Sequence, residues 1–128
     1  MINVLLSCES RYPVNRKLIR QVVERTLTSK RVNSRVEVSV TVVGDRKMRG
    51  LSKKYRGIDK TTDVLSFTFE EEKAGAGRGP DGVLRLGEIV VSFPQIRVWA
   101  KKRNRLLDEI TAELVEHGCL HLLGEHHA

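Results

Sequence analysis

Aromatic rings, cysteines and long apolar runs are scarce in this chain, acidic residues are outnumbered by basic ones, and each of these narrows what it can do. Its two cysteines, Cys8 and Cys119, are too few and too far apart to build a disulfide framework, which fits a reducing compartment. No apolar stretch approaches the roughly 20 residues that a membrane-spanning helix requires. Leu5-Leu6-Ser7-Cys8 has the look of a lipoprotein cleavage site, but the apolar run before it is very short and lacks a basic leader. Export is therefore not expected, no membrane partner is expected, and the expected location is cytoplasmic. Sixteen Asp and Glu stand against 23 Lys and Arg, a formal charge of +7. Such a field favours polyanionic partners such as RNA, DNA or acidic membranes without singling one out. Only six Phe, Trp and Tyr residues are present. Because single-stranded bases are commonly held by aromatic stacking, backbone and shape recognition should dominate in any RNA complex, with weak sequence preference.

What is present suits one compact domain. A chain of 128 residues, 40% hydrophobic and 30% charged, can bury a single core without staples and is unlike disordered or fibrous sequences. Residues 2–6 read as a buried strand, and Pro13 breaks the chain before a helical pattern over 16–29 whose inner face carries Leu18, Val22 and Thr26. Val36, Val38, Val40 and Val42 alternate with Glu37, Ser39 and Thr41, the period-two mark of a half-buried strand. Asp45 is placed to cap a helix whose Met48, Leu51 and Tyr55 share one face, with Lys53, Lys54 and Arg56 on its basic side. Two further strands are predicted over 64–69 and 86–92, separated by a polar, glycine-rich surface loop at 71–82. A helix to about residue 103 follows Phe93-Pro94, and another spans 106–123 with apolar residues at 106, 107, 110, 114 and 120. The fold class is α/β: one mixed four-stranded sheet covered by about four to five helices.

All four histidines lie in the string HGCLHLLGEHH at residues 117–127. His117 and His121 are four apart, so on a helix they are rotated by only about 40° and both imidazoles can grip one ion, while Cys119 faces away. Gly124 can take the left-handed conformation that ends a helix, turning the chain so that His127 folds back as the natural third ligand. Three neutral imidazoles suit one divalent metal, zinc above all, and leave a coordination position open, as catalytic rather than structural sites do. The spacing also matches the histidine frame of one zinc-protease class. Gly118 stands where those proteases keep the general-base glutamate, which disfavours peptide hydrolysis by their mechanism.

Three segments in sequence order resemble the YbeY family of bacterial ribosomal-RNA maturation endoribonucleases: residues 51–67 (LSKKYRGIDKTTDVLSF), residues 86–92 (LGEIVVS) and the histidine string. Glu88 replaces the family's commoner aspartate, His126 stands where the family usually has Asp, and the chain stops at Ala128, where relatives commonly continue. The resemblance implies a single domain over residues 1–128, a metalloprotease-like arrangement with a C-terminal metal-binding helix, and metal-dependent, single-strand-selective endoribonuclease activity. It further implies roles in 16S rRNA 3′-end maturation and ribosome quality control, with an rRNA precursor, the small ribosomal subunit and its assembly factors as partners. Arg56 aligns with the family's important arginine, and a guanidinium beside the metal would bind a scissile phosphate. Asp63, Glu88 and His126 are candidate proton acceptors or groups orienting a ligand from behind. Turn and exposed-strand roles serve Asp63 and Glu88 equally well. Lys53, Lys54, Lys101, Lys102 and Arg103, with Thr62 and Ser66, could line an RNA path or simply face solvent. Two other functions fit the same residues: a non-catalytic RNA-binding assembly factor with a structural metal, and a metal-dependent hydrolase of another substrate.

Overall fold

A computed structural model describes residues 1–32, 35–69 and 82–124. Four strands, β1 (Ile2–Cys8), β2 (Val36–Val43), β3 (Val64–Thr68) and β4 (Leu84–Ser92), form one mixed sheet in the order β1-β2-β4-β3. β1, β2 and β4 run parallel, and β3 is antiparallel to β4. Four helices accompany the sheet: α1 (Arg16–Ser29), α2 (Asp45–Arg56), α3 (Phe93–Arg103) and α4 (Leu107–Leu122). The α/β class and mixed sheet expected from the sequence are those observed. The glycine-rich segment expected at 71–82 lies, except for Gly82, outside the described residues.

The alternating valines of β2 place Val36, Val38, Val40 and Val42 in the larger of two apolar clusters, together with α1, α3 and α4. A smaller cluster on the other sheet face holds Val43, Met48, Leu65 and Val90 under α2. One core was expected; the sheet divides it in two. β1 runs to Cys8 as an edge strand with only Val4 fully buried, so its apolar run half faces solvent. α1 starts where expected, with Asn15 Oδ1 accepting the Leu18 amide at 3.0 Å, but its inner stripe is Ile19, Val22, Val23, Thr26 and Leu27 and leaves Leu18 half-buried.

A bulge in β4 re-phases the strand. Arg85 pairs with Glu37 and Gly87 with Val38, so Leu86 is the extra residue. Leu86 thereby joins Ile89 and Val91 in the larger cluster, and Glu88 and Val90 turn to the α2 face. Gly87 has φ +154°, and a Cβ there would lie 2.0 Å from the Phe67 carbonyl oxygen, so the close approach of β3 requires glycine.

α4 buries Ile110, Thr111, Val115, Gly118, Cys119 and Leu122, whereas Leu106 and Leu107 are exposed. The stripe that meets the sheet is marked by small residues as much as by apolar ones. A Cβ on Gly118 would stand 2.6 Å from Ile89 Cγ2, so glycine is what lets this helix rest directly on β4.

Candidate active site

The closely seated α4 carries His117 and His121 up one wall of a cleft of about 520 Å³. The opposite side is built from the end of α2, the connection after it and β3, which contribute Tyr55, Arg56, Thr62, Asp63, Ser66 and Phe67. The two imidazoles have ring centroids 4.7 Å apart with planes tilted by 50°. His117 is exposed and His121 half-buried. They sit in the C-terminal turns of α4, where the partial negative charge of the helix end favours a cation. Gly124 has φ +83° just past the helix, the left-handed turn expected there. His126 and His127 lie outside the described residues. Among the described residues no group of three or more His, Cys, Asp or Glu side chains gathers as a metal site. The donor chemistry nonetheless fits a divalent metal: two neutral-capable imidazoles one turn apart on a cleft wall, in the spacing such ions take.

Cys119 points into the core, fully buried, and burial pushes its thiol up to about 12, so it is held as an inert thiol. Ser66 Oγ donates to the Gly118 carbonyl at 3.4 Å, a link between β3 and α4 across the cleft floor. At Gly118 the side chain that the related protease frame requires has no space, because Ile89 fills it.

Arg56 ends α2 as an exposed residue, followed by Gly57 in the left-handed conformation at φ +70°. Asp63 lies in the same cleft. Its Oδ1 accepts the Val64 amide at 2.8 Å and the Thr62 hydroxyl at 3.5 Å, and its carbonyl accepts the Ser92 amide at 2.9 Å. That carboxylate stiffens the turn feeding β3. Glu88 does not line the cleft; on the α2 face of the sheet its carboxylate accepts the Thr41 hydroxyl at 2.7 Å. Lys53 and Lys54 precede Tyr55 on exposed α2, with Lys54 Nζ 5.1 Å from the Tyr55 ring centroid. Lys101, Lys102 and Arg103 end α3 away from the cleft. Lys102 and Arg103 lie over Trp99, and Arg103 also pairs with Glu113 at 3.4 Å.

Two features escaped the sequence. Asp45 does not cap α2: Gly44 is the cap residue, and Asp45 Oδ1 instead accepts Thr61 Oγ1 at 2.9 Å, Ser92 Oγ at 3.0 Å and Gln95 Nε2 at 3.1 Å. It fastens the segment carrying Thr62 and Asp63 to β4 and α3. No local pattern announces this, because its partners lie 16 to 50 positions away. Tyr55, expected on the buried face with Met48 and Leu51, is 54% exposed at the cleft rim and meets Phe67 edge-on with centroids 4.9 Å apart.

Comparison with known proteins adds an independent line. The sequence model of a family described as "Endoribonuclease YbeY" matches residues 8–128. An "Endoribonuclease YbeY" from Roseiflexus sp. (strain RS-1) is 38% identical over 114 residues, covering 89% of this chain and 71% of the relative. Another so named, from Dehalococcoides mccartyi (strain ATCC BAA-2266), is 31% identical over 134 residues, covering 98% and 78%. Among solved structures, the solution structure of TM1509 from Thermotoga maritima superposes with a TM-score of 0.60 at 26% identity, covering 98% of this chain and 75% of that one.

Proposed function

From the premise that this chain belongs to the YbeY endoribonuclease family and hydrolyses RNA phosphodiester bonds, we propose that it cuts single-stranded RNA in the cleft between α2 and α4, acting in the cytoplasm on ribosomal-RNA precursors. The observation that carries this reading is the meeting of Arg56 with His117 and His121 in one cleft, from elements far apart in sequence. Arg56 would hold the scissile phosphate through its planar fork and stabilise charge that builds on the phosphoryl oxygens. Thr62 and Ser66 line the same cleft, their hydroxyls donating to Asp63 Oδ1 and to the Gly118 carbonyl. His117 and His121, completed by His127 on the sequence spacing, would hold one divalent metal, most suitably zinc. When bound there, that ion supplies Lewis acidity and a water of lowered pKa. Residues 1–128 act in this reading as one domain. The family supports a place in rRNA 3′-end maturation and ribosome quality control, alongside the small ribosomal subunit.

The test is cleavage of matched unstructured and duplex RNAs by freshly metallated protein, with His121→Ala as control against contaminating nuclease. Faster cutting of the single strand, lost in the control together with about one equivalent of metal, is the expected result. RNA binding without cleavage by metallated protein would favour the assembly-factor alternative.

A further inference from the structure

On α2 the one exposed large apolar side chain among the described residues is Tyr55, and it stands at the rim of the catalytic cleft, next to Arg56. Its ring also borders a second hollow of about 330 Å³ between α2 and the sheet, lined by Lys47, Leu51, Phe67 and Phe69 among others. Tyr55 is thus a ridge between the two hollows. The edge-to-face contact with Phe67, at 61° between ring planes, fixes its orientation from below. A ring so braced loses little freedom when a flat partner lands on it. The Lys54 ammonium lies over this ring, 5.1 Å from its centroid, so a base landing on that face displaces it, and its flexible stem leaves the charge free to meet the phosphate of a neighbouring nucleotide.

We propose that Tyr55, supported by Phe67, is the platform on which an unpaired RNA base stacks while an adjacent phosphate lies at Arg56, and that this contact produces the preference for single strands. The inference rests on the phosphodiester-cleaving reading above and names a specificity-determining residue within it. Both faces of a base in a duplex are covered by its neighbours, so only an unpaired, splayed base can present a face to Tyr55. Stacking of this kind accepts every base, because each has a π face. Few aromatics are therefore enough when one is placed beside the reactive phosphate.

The experiment is a cycle between protein and RNA. A short single-stranded RNA has its bases removed one position at a time, and each version is tested with wild type, Tyr55→Leu and Tyr55→Trp, all checked for metal content and melting temperature. Cleavage is followed as kcat and KM separately, and binding by fluorescence anisotropy on a cleavage-resistant analogue. Tyr55→Leu is expected to weaken single-strand binding roughly 10- to 100-fold, chiefly through KM, and to narrow the gap to duplex RNA. One abasic position should cost wild type a similar factor and cost Tyr55→Leu almost nothing, while Tyr55→Trp behaves as wild type. Equal abasic penalties in wild type and Tyr55→Leu, or no sensitive position in wild type, would overturn the inference. If Tyr55→Leu does not fold, Tyr55→Ala, which also removes the ring at this exposed position, takes its place in the cycle and is judged by the same criterion. Failure of the functional reading is seen separately, as absence of cleavage by wild type, whereas stacking is judged on the binding cycle.

Discussion

Replacing Gly118 with alanine isolates the packing that both seats the histidine helix and excludes a protease-like glutamate. The added Cβ would lie 2.6, 3.1 and 3.2 Å from Cγ2, Cγ1 and Cδ1 of Ile89, against ordinary contacts of 3.4–4 Å. Ile89 is fully buried, and every one of those atoms belongs to the same side chain, so rotating it exchanges one clash for another. Overpacking of this kind costs typically about 1–3 kcal/mol. The substitution also removes a glycine from a helix interior, a gain of about 1 kcal/mol. The net expectation is a loss of up to about 2 kcal/mol in urea denaturation, with the two contributions separable by controls. Gly50→Ala, in α2 with nothing within 4 Å of the new methyl, should show only the gain. In an Ile89→Ala background, itself costing about 2–5 kcal/mol, Gly118→Ala should become stabilising. If the two substitutions instead add within about 0.5 kcal/mol, the contact is not what reserves position 118 for glycine, and the explanation of the missing glutamate fails with it.

Arg56→Ala should lower the single-turnover cleavage rate roughly 100-fold or more while metal content and melting temperature hold, since the side chain is exposed. Arg56→Lys should be intermediate, because it keeps the charge and loses the fork; full activity in the alanine variant would remove Arg56 from the mechanism. RNA affinity should fall steeply with salt, with a slope in log Kobs against log salt of about −0.7 per phosphate contact, and salt-independent binding would sink the phosphate-directed reading. Burial raises the folded-state pKa of Cys119 above its ordinary 9.0 to about 12, so its contribution to stability is complete below pH 9 and is lost as pH rises toward 12. Wild type should therefore lose more stability than Cys119→Ala over that range. At pH 8 the Cys119 thiol should react with an aromatic disulfide reagent only after unfolding; prompt reaction of the native protein would contradict its burial.

The sequence alone determined whatever fits within one element. The alternation of β2, the bounds of α1, the placing of His117 and His121 on one helix face with Cys119 behind, and the left-handed turn at Gly124 all follow from periods of 2.0 and 3.6 residues and from the conformational reach of glycine. Where a stripe is made partly of small residues, as on α4, the same reading drifted. Gly118 faces the sheet because it is small, Thr111 is buried on the same helix, and hydropathy does not report size. Only the tertiary structure decided what meets across elements. The order β1-β2-β4-β3, the bulge that sends Glu88 to the α2 face, the capture of Asp45 by Thr61, Ser92 and Gln95, and the exposure of Tyr55 beside Arg56 each depend on pairing and register between distant segments. Such choices are made by competition among whole packings, so no window of sequence contains them. The cleft belongs to both levels: helical period set the histidine pair, and the sheet carried Arg56 and Tyr55 to it.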